Sequence, residues 1–319
     1  MQPCRDMTQM IDAAAIRDAA LRIAPHIRRT PLLRLPAKEL GTPCDVVLKL
    51  ELLQASGSFK PRGAFNRLLS NTLPKAGVIA ASGGNHGAAV AYAAQALGVP
   101  AEIFVPDITS PAKLARIRAY GATLVQGGAA YDDARRASEA RAAQTGALTV
   151  HAYDQPETLA GQGTLAMELE EDDPTLTHIL VATGGGGLIG GMAAWYAGRA
   201  FLVSVEPETC PTLYNALRTG HPTPVPTGGL AADSLGAKQV GEAMFPLAQR
   251  FVQHAVLVND DAIRDAQKRL WDCCRLVAEP GGAAALAALL SGAFVPPDGA
   301  RVGVVVCGGN TDPGVVGSL

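Results

Sequence analysis

The chain has 319 residues, of which 48% are hydrophobic but only 5% aromatic, and its formal net charge is −2. Such a length allows one large domain or two smaller ones, with cores built from Ala, Val, Leu and Ile in the manner of layered α/β proteins. The charge balance excludes an electrostatic footprint for nucleic acid or an acidic membrane, and no apolar run is long enough to span a bilayer.

Residues 1–15 lack the basic-then-apolar order of a signal peptide. From residue 45 onward, strand-like and helix-like stretches alternate. DVVLKLE (45–51) reads as a strand and RGAFNRLLS (62–70) as a helix. VIAAS (78–82) is a short buried strand, followed by an Ala-rich helix that ends at Gly98. AEIFVP is a strand, and SPAKLARIRAYG a helix with Ser110 as N-cap and Pro111 at its first position. ATLVQ, YDDARRASEARAAQTG and ALTVHAY continue the alternation. THILVAT, a helix from Leu188, FLVSVEP and RVGVVVC complete it. Apolar runs bounded by turns and separated by helices predict parallel strands with helical crossovers. The Pro/Gly-rich stretch at 219–234 is expected to be a surface excursion. The cysteines (Cys4, Cys44, Cys210, Cys273, Cys274, Cys307) form no C-x-x-C pair, which argues against zinc and against a disulfide framework. A cytoplasmic enzyme with reduced thiols is the expectation.

Three loops carry chemistry. In ASGSFKPRGA (55–64), Lys60 stands between Phe59 and Pro61. An apolar collar desolvates an amine, lowers its pKa and frees its lone pair, as imine formation requires. A helix-proximal surface lysine is the simpler reading, and the context of Ser56, Ser58, Arg62 and Gly63 weighs against it. The second loop, SGGNHG (82–87), lies between a strand and a helix, where small residues let backbone N–H groups face an anion. Asn85 and His86 add side-chain donors. The third, TGGGG (183–187), opens a helix after a strand, and its glycines allow the backbone to wrap a phosphate. A rival reading exists here. Residues 185–190 match G-x-G-x-x-G, and Glu206 stands about twenty residues on, as in a dinucleotide-binding fold. That reading leaves Lys60 and SGGNHG unexplained. Cys307, at the end of VGVVVC, is either a core thiol or a neutral partner for a pyridine nitrogen. Glu279 is either the N-terminal acid of a helix or a substrate-site carboxylate. Together the three segments point to an enzyme that holds pyridoxal phosphate on Lys60.

With these motifs in this order, the chain resembles the fold-type II pyridoxal phosphate enzymes, in the group of threonine/serine dehydratases and serine racemases. The resemblance runs from RRTPLLRL (28–35) to CGGNTDP (307–313). It implies two three-layer α/β domains with mostly parallel sheets, similar to the tryptophan synthase β-subunit. A large domain (1–76 plus 154–319) would carry a small mobile one (77–153), with the active site between them, in a homodimer. It further implies that Lys60 forms the Schiff base and Phe59 packs near the cofactor. Asn85 would bond the phenolic oxygen, Gly184, Gly185, Gly186 and Gly187 the phosphate, and Cys307 would face the ring nitrogen. Ser82, Gly83, Gly84, Asn85 and His86 would hold the substrate carboxylate, with Glu279 nearby. Cysteine and threonine synthases resemble the chain less, since their lysine is typically followed by Asp-Arg rather than by Pro61 and Arg62.

Two departures matter. Serine racemases carry a second serine in the asparagine loop as acid/base on the opposite face, and Gly83 stands there. Relatives that hold a divalent cation use a Glu, a backbone carbonyl and an Asp. Glu206 is a possible metal ligand, but Thr212 stands where the Asp belongs. The chain also ends soon after CGGNTDP, so no allosteric C-terminal domain is expected. The resemblance thus implies α,β-elimination from L-threonine or L-serine to a 2-oxo acid and ammonia. Serine racemase, 3-hydroxyaspartate dehydratase, a pyridoxal phosphate protein of other activity and a nicotinamide-dependent oxidoreductase are the alternatives.

Overall fold

The structure, a computed structural model, describes residues 11–318. Cys4 and most of the N-terminal segment discussed above lie outside the described residues.

Six strands form one sheet: β1 (Leu32–Leu35), β2 (Val46–Lys49), β7 (His178–Ala182), β8 (Phe201–Pro207), β9 (Val252–Val258) and β10 (Val302–Val305). Four form a second: β3 (Val78–Ala81), β4 (Ala101–Val105), β5 (Thr123–Gln126) and β6 (Leu148–Thr149). The orders are β1-β2-β10-β7-β8-β9 and β5-β4-β3-β6. Among the described strands only β1 runs antiparallel to its neighbour. Every residue of β10, and all but the first of β7 and β8, is buried. Continuous burial means that both faces of those strands are covered, as expected for parallel strands flanked by helical crossovers. This is the expected α/β architecture.

Most expected elements are found, with local differences. Ser110 takes the N-cap position with extended backbone, but its hydroxyl makes no capping bond. ALTVHAY is a strand only over Leu148–Thr149, because the backbone then turns, and the side chains of His151 and Gln155 take up its N–H groups. Strands β1 and β9 and the 17-residue helix Pro156–Asp172 were not anticipated. The stretch 219–234 is largely at the surface to residue 230. Ala231 is then buried, and a short helix, Ala232–Leu235, turns inward. Among the described residues no helix is long and apolar enough to cross a membrane. The described cysteines are all free thiols.

A buried polar cluster ties the two halves of the chain together. Arg62 grips Glu51 with two parallel bonds of 2.8 and 2.7 Å and reaches Glu168 at 2.9 Å. Lys49 bonds Glu168 at 2.5 Å and the Thr30 carbonyl at 2.8 Å. Arg62, Lys49 and Glu51 are each 0% exposed. Burial opposes ionisation of Glu51, but the adjacent Arg62 guanidinium outweighs it and holds the carboxyl below its usual range. Removing one member leaves its partners charged and dry. Arg62→Met is therefore expected to cost about 3–5 kcal/mol of stability, read from urea or thermal unfolding. A loss below about 1 kcal/mol, the range of an exposed ion pair, would contradict the bracing role.

Candidate active site

The helix Lys60–Leu69 begins on Lys60 itself, with Phe59 at its N-cap. The segment before it is stitched to the continuation of β10. Val306 N–H donates to the Lys49 carbonyl (3.0 Å), Leu52 N–H to that of Val306 (2.9 Å) and Phe59 N–H to that of Cys307 (3.1 Å). Ser58 and Gly308 form an antiparallel bridge. These bonds bring Lys60 and Cys307 to one cavity at the carboxyl ends of β7 and β10. Its walls include Phe59, Asn85, the run Gly184 to Gly187, and Glu279.

The glycine run must be glycine. A Cβ on Gly185 would stand 2.2 Å from the Tyr153 ring, and one on Gly184 would stand 2.7 Å from the Leu235 carbonyl. Gly186 has φ +83°, a left-handed conformation that L side chains rarely adopt. It precedes the helix Gly187–Tyr196, whose N-terminus has no side-chain cap. The helix Asn85–Leu97 likewise starts after Gly84 without a side-chain cap. Both glycine loops thus precede helix N-termini that no N-cap side chain closes, the arrangement that receives anions.

Lys60 is partly buried, donates to the Ala152 carbonyl at 2.9 Å and lies 5.0 Å from the centre of the Phe59 ring. Desolvation lowers its pKa to about 8 against the opposing pull of Cys307 and Glu279. Glu279 occupies the N-cap position of helix Pro280–Leu290 but makes no capping bond. Its carboxylate instead accepts from Asn85 Nδ2 at 2.5 Å, and burial pushes it up to about 7. Glu279 is thus the N-terminal acid of that helix by position, while its carboxylate is engaged by Asn85 in the cavity wall. Asn85 Oδ1 accepts from Asn310 at 2.6 Å, so the amide orientation is fixed from both ends. Burial raises the Cys307 thiol well above its usual range; it is neutral and donates to the Gly281 carbonyl at 3.3 Å.

Not every expected residue reaches the cavity. Ser82, Gly83 and Gly84 form the adjacent turn, closed by a Gly84 N–H to Ser82 Oγ bond of 3.2 Å. The space for a side chain on Gly83 is filled by Thr109, whose Cγ2 lies 2.7 Å from the ideal Cβ position. His86 is buried, its Nε2 is 2.8 Å from the Val150 carbonyl, and burial depresses its pKa to about 3. Its ring is a neutral tether between a helix and the exit of β6. Glu206 accepts N–H bonds of 2.7 Å each from Leu213 and Tyr214, and a 3.0 Å bond from Thr212 Oγ1. The carboxyl that the dinucleotide and metal readings wanted outside is turned into the start of helix Thr212–Thr219. Among the described residues no group of three His, Cys, Asp or Glu side chains is placed to hold a metal ion. Tyr153, Ser234 and Leu235 line the cavity unanticipated. No local signal marks them, because each belongs to a turn or short helix that only long-range packing brings there.

A family model described as pyridoxal-phosphate dependent enzyme matches residues 23–308. The chain is 35% identical over 312 residues to the L-threonine ammonia-lyase of Thermotoga maritima, covering 96% of this chain and 77% of that protein. It is 37% identical over 315 residues to the phenylserine dehydratase of Ralstonia pickettii, with 96% and 95% covered. Maize serine racemase superposes with a TM-score of 0.91 at 31% identity over 97% of both chains. The chain belongs to the fold-type II pyridoxal-phosphate dependent enzymes, in the threonine/serine dehydratase and serine racemase group.

Pyridoxal 5′-phosphate is the cofactor of that family, and the residues present fit it. An amine of lowered pKa faces a glycine cradle at an uncapped helix N-terminus, with a neutral thiol in the same cavity. Only the neutral amine is a nucleophile. Cofactor uptake by the apoprotein is accordingly expected to accelerate as pH rises through about 8, followed by stopped-flow absorbance. A rate independent of pH across that range would contradict the lowered pKa.

Proposed function

We propose that the protein is an ammonia-lyase that converts L-threonine or L-serine to a 2-oxo acid and ammonia. The observation that carries this reading is one-sided proton chemistry. Lys60 offers an amine that is largely protonated at neutral pH yet easily deprotonated, and Gly83, where the resemblance puts the acid/base of the opposite face, has no side chain. The Thr109 hydroxyl beside Gly83 already donates to the Pro106 carbonyl at 2.8 Å.

In this reading the cofactor, when bound, supplies an electron sink for the negative charge that develops at the substrate α-carbon. Lys60, once free, takes the α-proton as general base. The turn from Ser82 to His86 would hold the substrate carboxylate, through donors other than Ser82 N–H, which is bonded to the Phe104 carbonyl, and the backbone of Gly184 to Gly187 would hold the cofactor phosphate. Asn85, fixed between Asn310 and Glu279, would hold the cofactor's phenolic oxygen. Cys307 offers a neutral thiol, so no full positive charge is stabilised beside it. Residues 77–153 would close over the remainder and keep water from the reacting atoms. Serine racemisation is the second reading, favoured by the likeness to maize serine racemase. It requires a proton carrier on the opposite face, which Gly83 does not provide.

The test is release of 2-oxo acid from L-threonine and L-serine by the cofactor-loaded protein. Release from either supports elimination, and Lys60→Ala is expected to lower it by about a thousandfold or more. Conversion of L-serine to D-serine without oxo-acid release, or activity retained in Lys60→Ala, would overturn the proposal.

A further inference from the structure

The turn that follows β6 makes more contacts to the site than any motif in the sequence announces. We infer that His151, neutral and protonated on Nε2, is a positioning residue that locks the turn 151–154 over the glycine cradle, and that protonation of its Nδ1 releases the turn. The His151 N–H donates to Gln155 Oε1 at 2.9 Å. Its ring Nδ1 accepts two backbone N–H groups, from Tyr153 at 3.3 Å and from Asp154 at 3.0 Å. A nitrogen that accepts carries no proton, so the neutral ring must hold its proton on Nε2.

Each residue that this ring arranges reaches the site. The Ala152 carbonyl accepts from Lys60 Nζ at 2.9 Å. The Tyr153 ring lies against Gly185, within 2.2 Å of where a Cβ would stand. The Asp154 carboxylate accepts from the N–H groups of Glu242 and Ala243 at 3.1 and 2.9 Å. Next to them, Gly241 N–H donates to the Gly185 carbonyl at 3.0 Å. The turn therefore holds the cradle twice, once through the Tyr153 ring and once through the 241–243 loop. A proton on Nδ1 would set three donors against one another with no acceptor between them, and the turn would have to open.

The surroundings resist that proton. Burial is the largest influence and lowers the pKa of the ring; Lys60 and Arg135 act in the same sense. Asp154 in the turn and Glu139 on the facing helix Tyr131–Thr145 oppose them. His86, from helix Asn85–Leu97, is itself held neutral. The Tyr153 ring meets the imidazole edge-on at 4.8 Å between centroids. The native state thus disfavours the charged ring, so the lock is complete above the ordinary histidine pKa and is lost as pH falls through the lowered one.

The tautomer stands on the hydrogen bonds alone, whereas the effect on cofactor rests on the proposed assignment of Gly184 to Gly187. Two measurements keep these apart. Nitrogen-15 NMR of the histidine side chains in cofactor-free protein, with His151→Asn for assignment, is expected to show His151 Nδ1 unprotonated at neutral pH. A protonated Nδ1 there would overturn the inference whatever the cofactor does. Retention of pyridoxal 5′-phosphate is then followed against pH by dialysis and absorbance. Wild type is expected to release it as His151 titrates. His151→Asn keeps a side-chain acceptor at the same place but cannot be charged, and is expected to hold the cofactor across that range. His151→Phe is expected to bind about tenfold more weakly at every pH, having lost the acceptor. Release from His151→Asn along the wild-type curve, or wild-type affinity in His151→Phe, would overturn the positioning role. A protein that takes up no cofactor at all would defeat the proposed function and leave the NMR result to decide the tautomer.

Discussion

The buried pair between Arg62 and Glu51 is the constraint on which the rest of the site depends. It joins the end of β2 to the first turn of the helix that carries Lys60, and Glu168 links both to the helix Pro156–Asp172. Burying several charges costs several kcal/mol per ion unless each is paired and hydrogen-bonded. Here the guanidinium fork matches two carboxylates and the Thr164 hydroxyl, while Lys49 and the Thr30 N–H donate to the other oxygen of Glu168. Such a cluster tolerates little displacement, and neither does the lysine two residues away.

Around Lys60 the same burial acts in the opposite sense and suppresses charge. The amine is brought down to about 8 and Glu279 up to about 7, while Cys307 and His86 are neutral. A cavity with few fixed charges cannot bind a phosphate through side-chain cations. What it offers an anion instead is backbone dipoles, at two helix starts preceded by glycines. Glycine there costs backbone entropy, which an anion against the N–H groups would offset.

The three loops were legible because each breaks a local rule. An amine in an apolar collar, a glycine run between strand and helix, and a polar Asn-His pair after two glycines are each unusual in local sequence, although the fold satisfies Asn85 and His86 from within. Glu279 and Glu206 were legible as residues but not as roles. Each sits beside a helix start, and only the fold determines that Glu206 faces its helix and Glu279 faces Asn85. Arg62 stood in the sequence as mere context for Lys60, since its partners lie 11 and 106 residues away.

What the sequence determined by itself were the parallel α/β class and, through a lysine in an apolar collar and two glycine loops, the cofactor. Those features arise from short-range periodicity and from residues whose backbone preferences are strong. What the tertiary structure alone decided were the walls supplied by Tyr153, Ser234 and Leu235, the buried ion cluster, and the turn held by His151. They depend on contacts between segments tens to hundreds of residues apart. No local propensity encodes such contacts, because burial and hydrogen-bond partners are fixed only when the two sheets and their helices have packed.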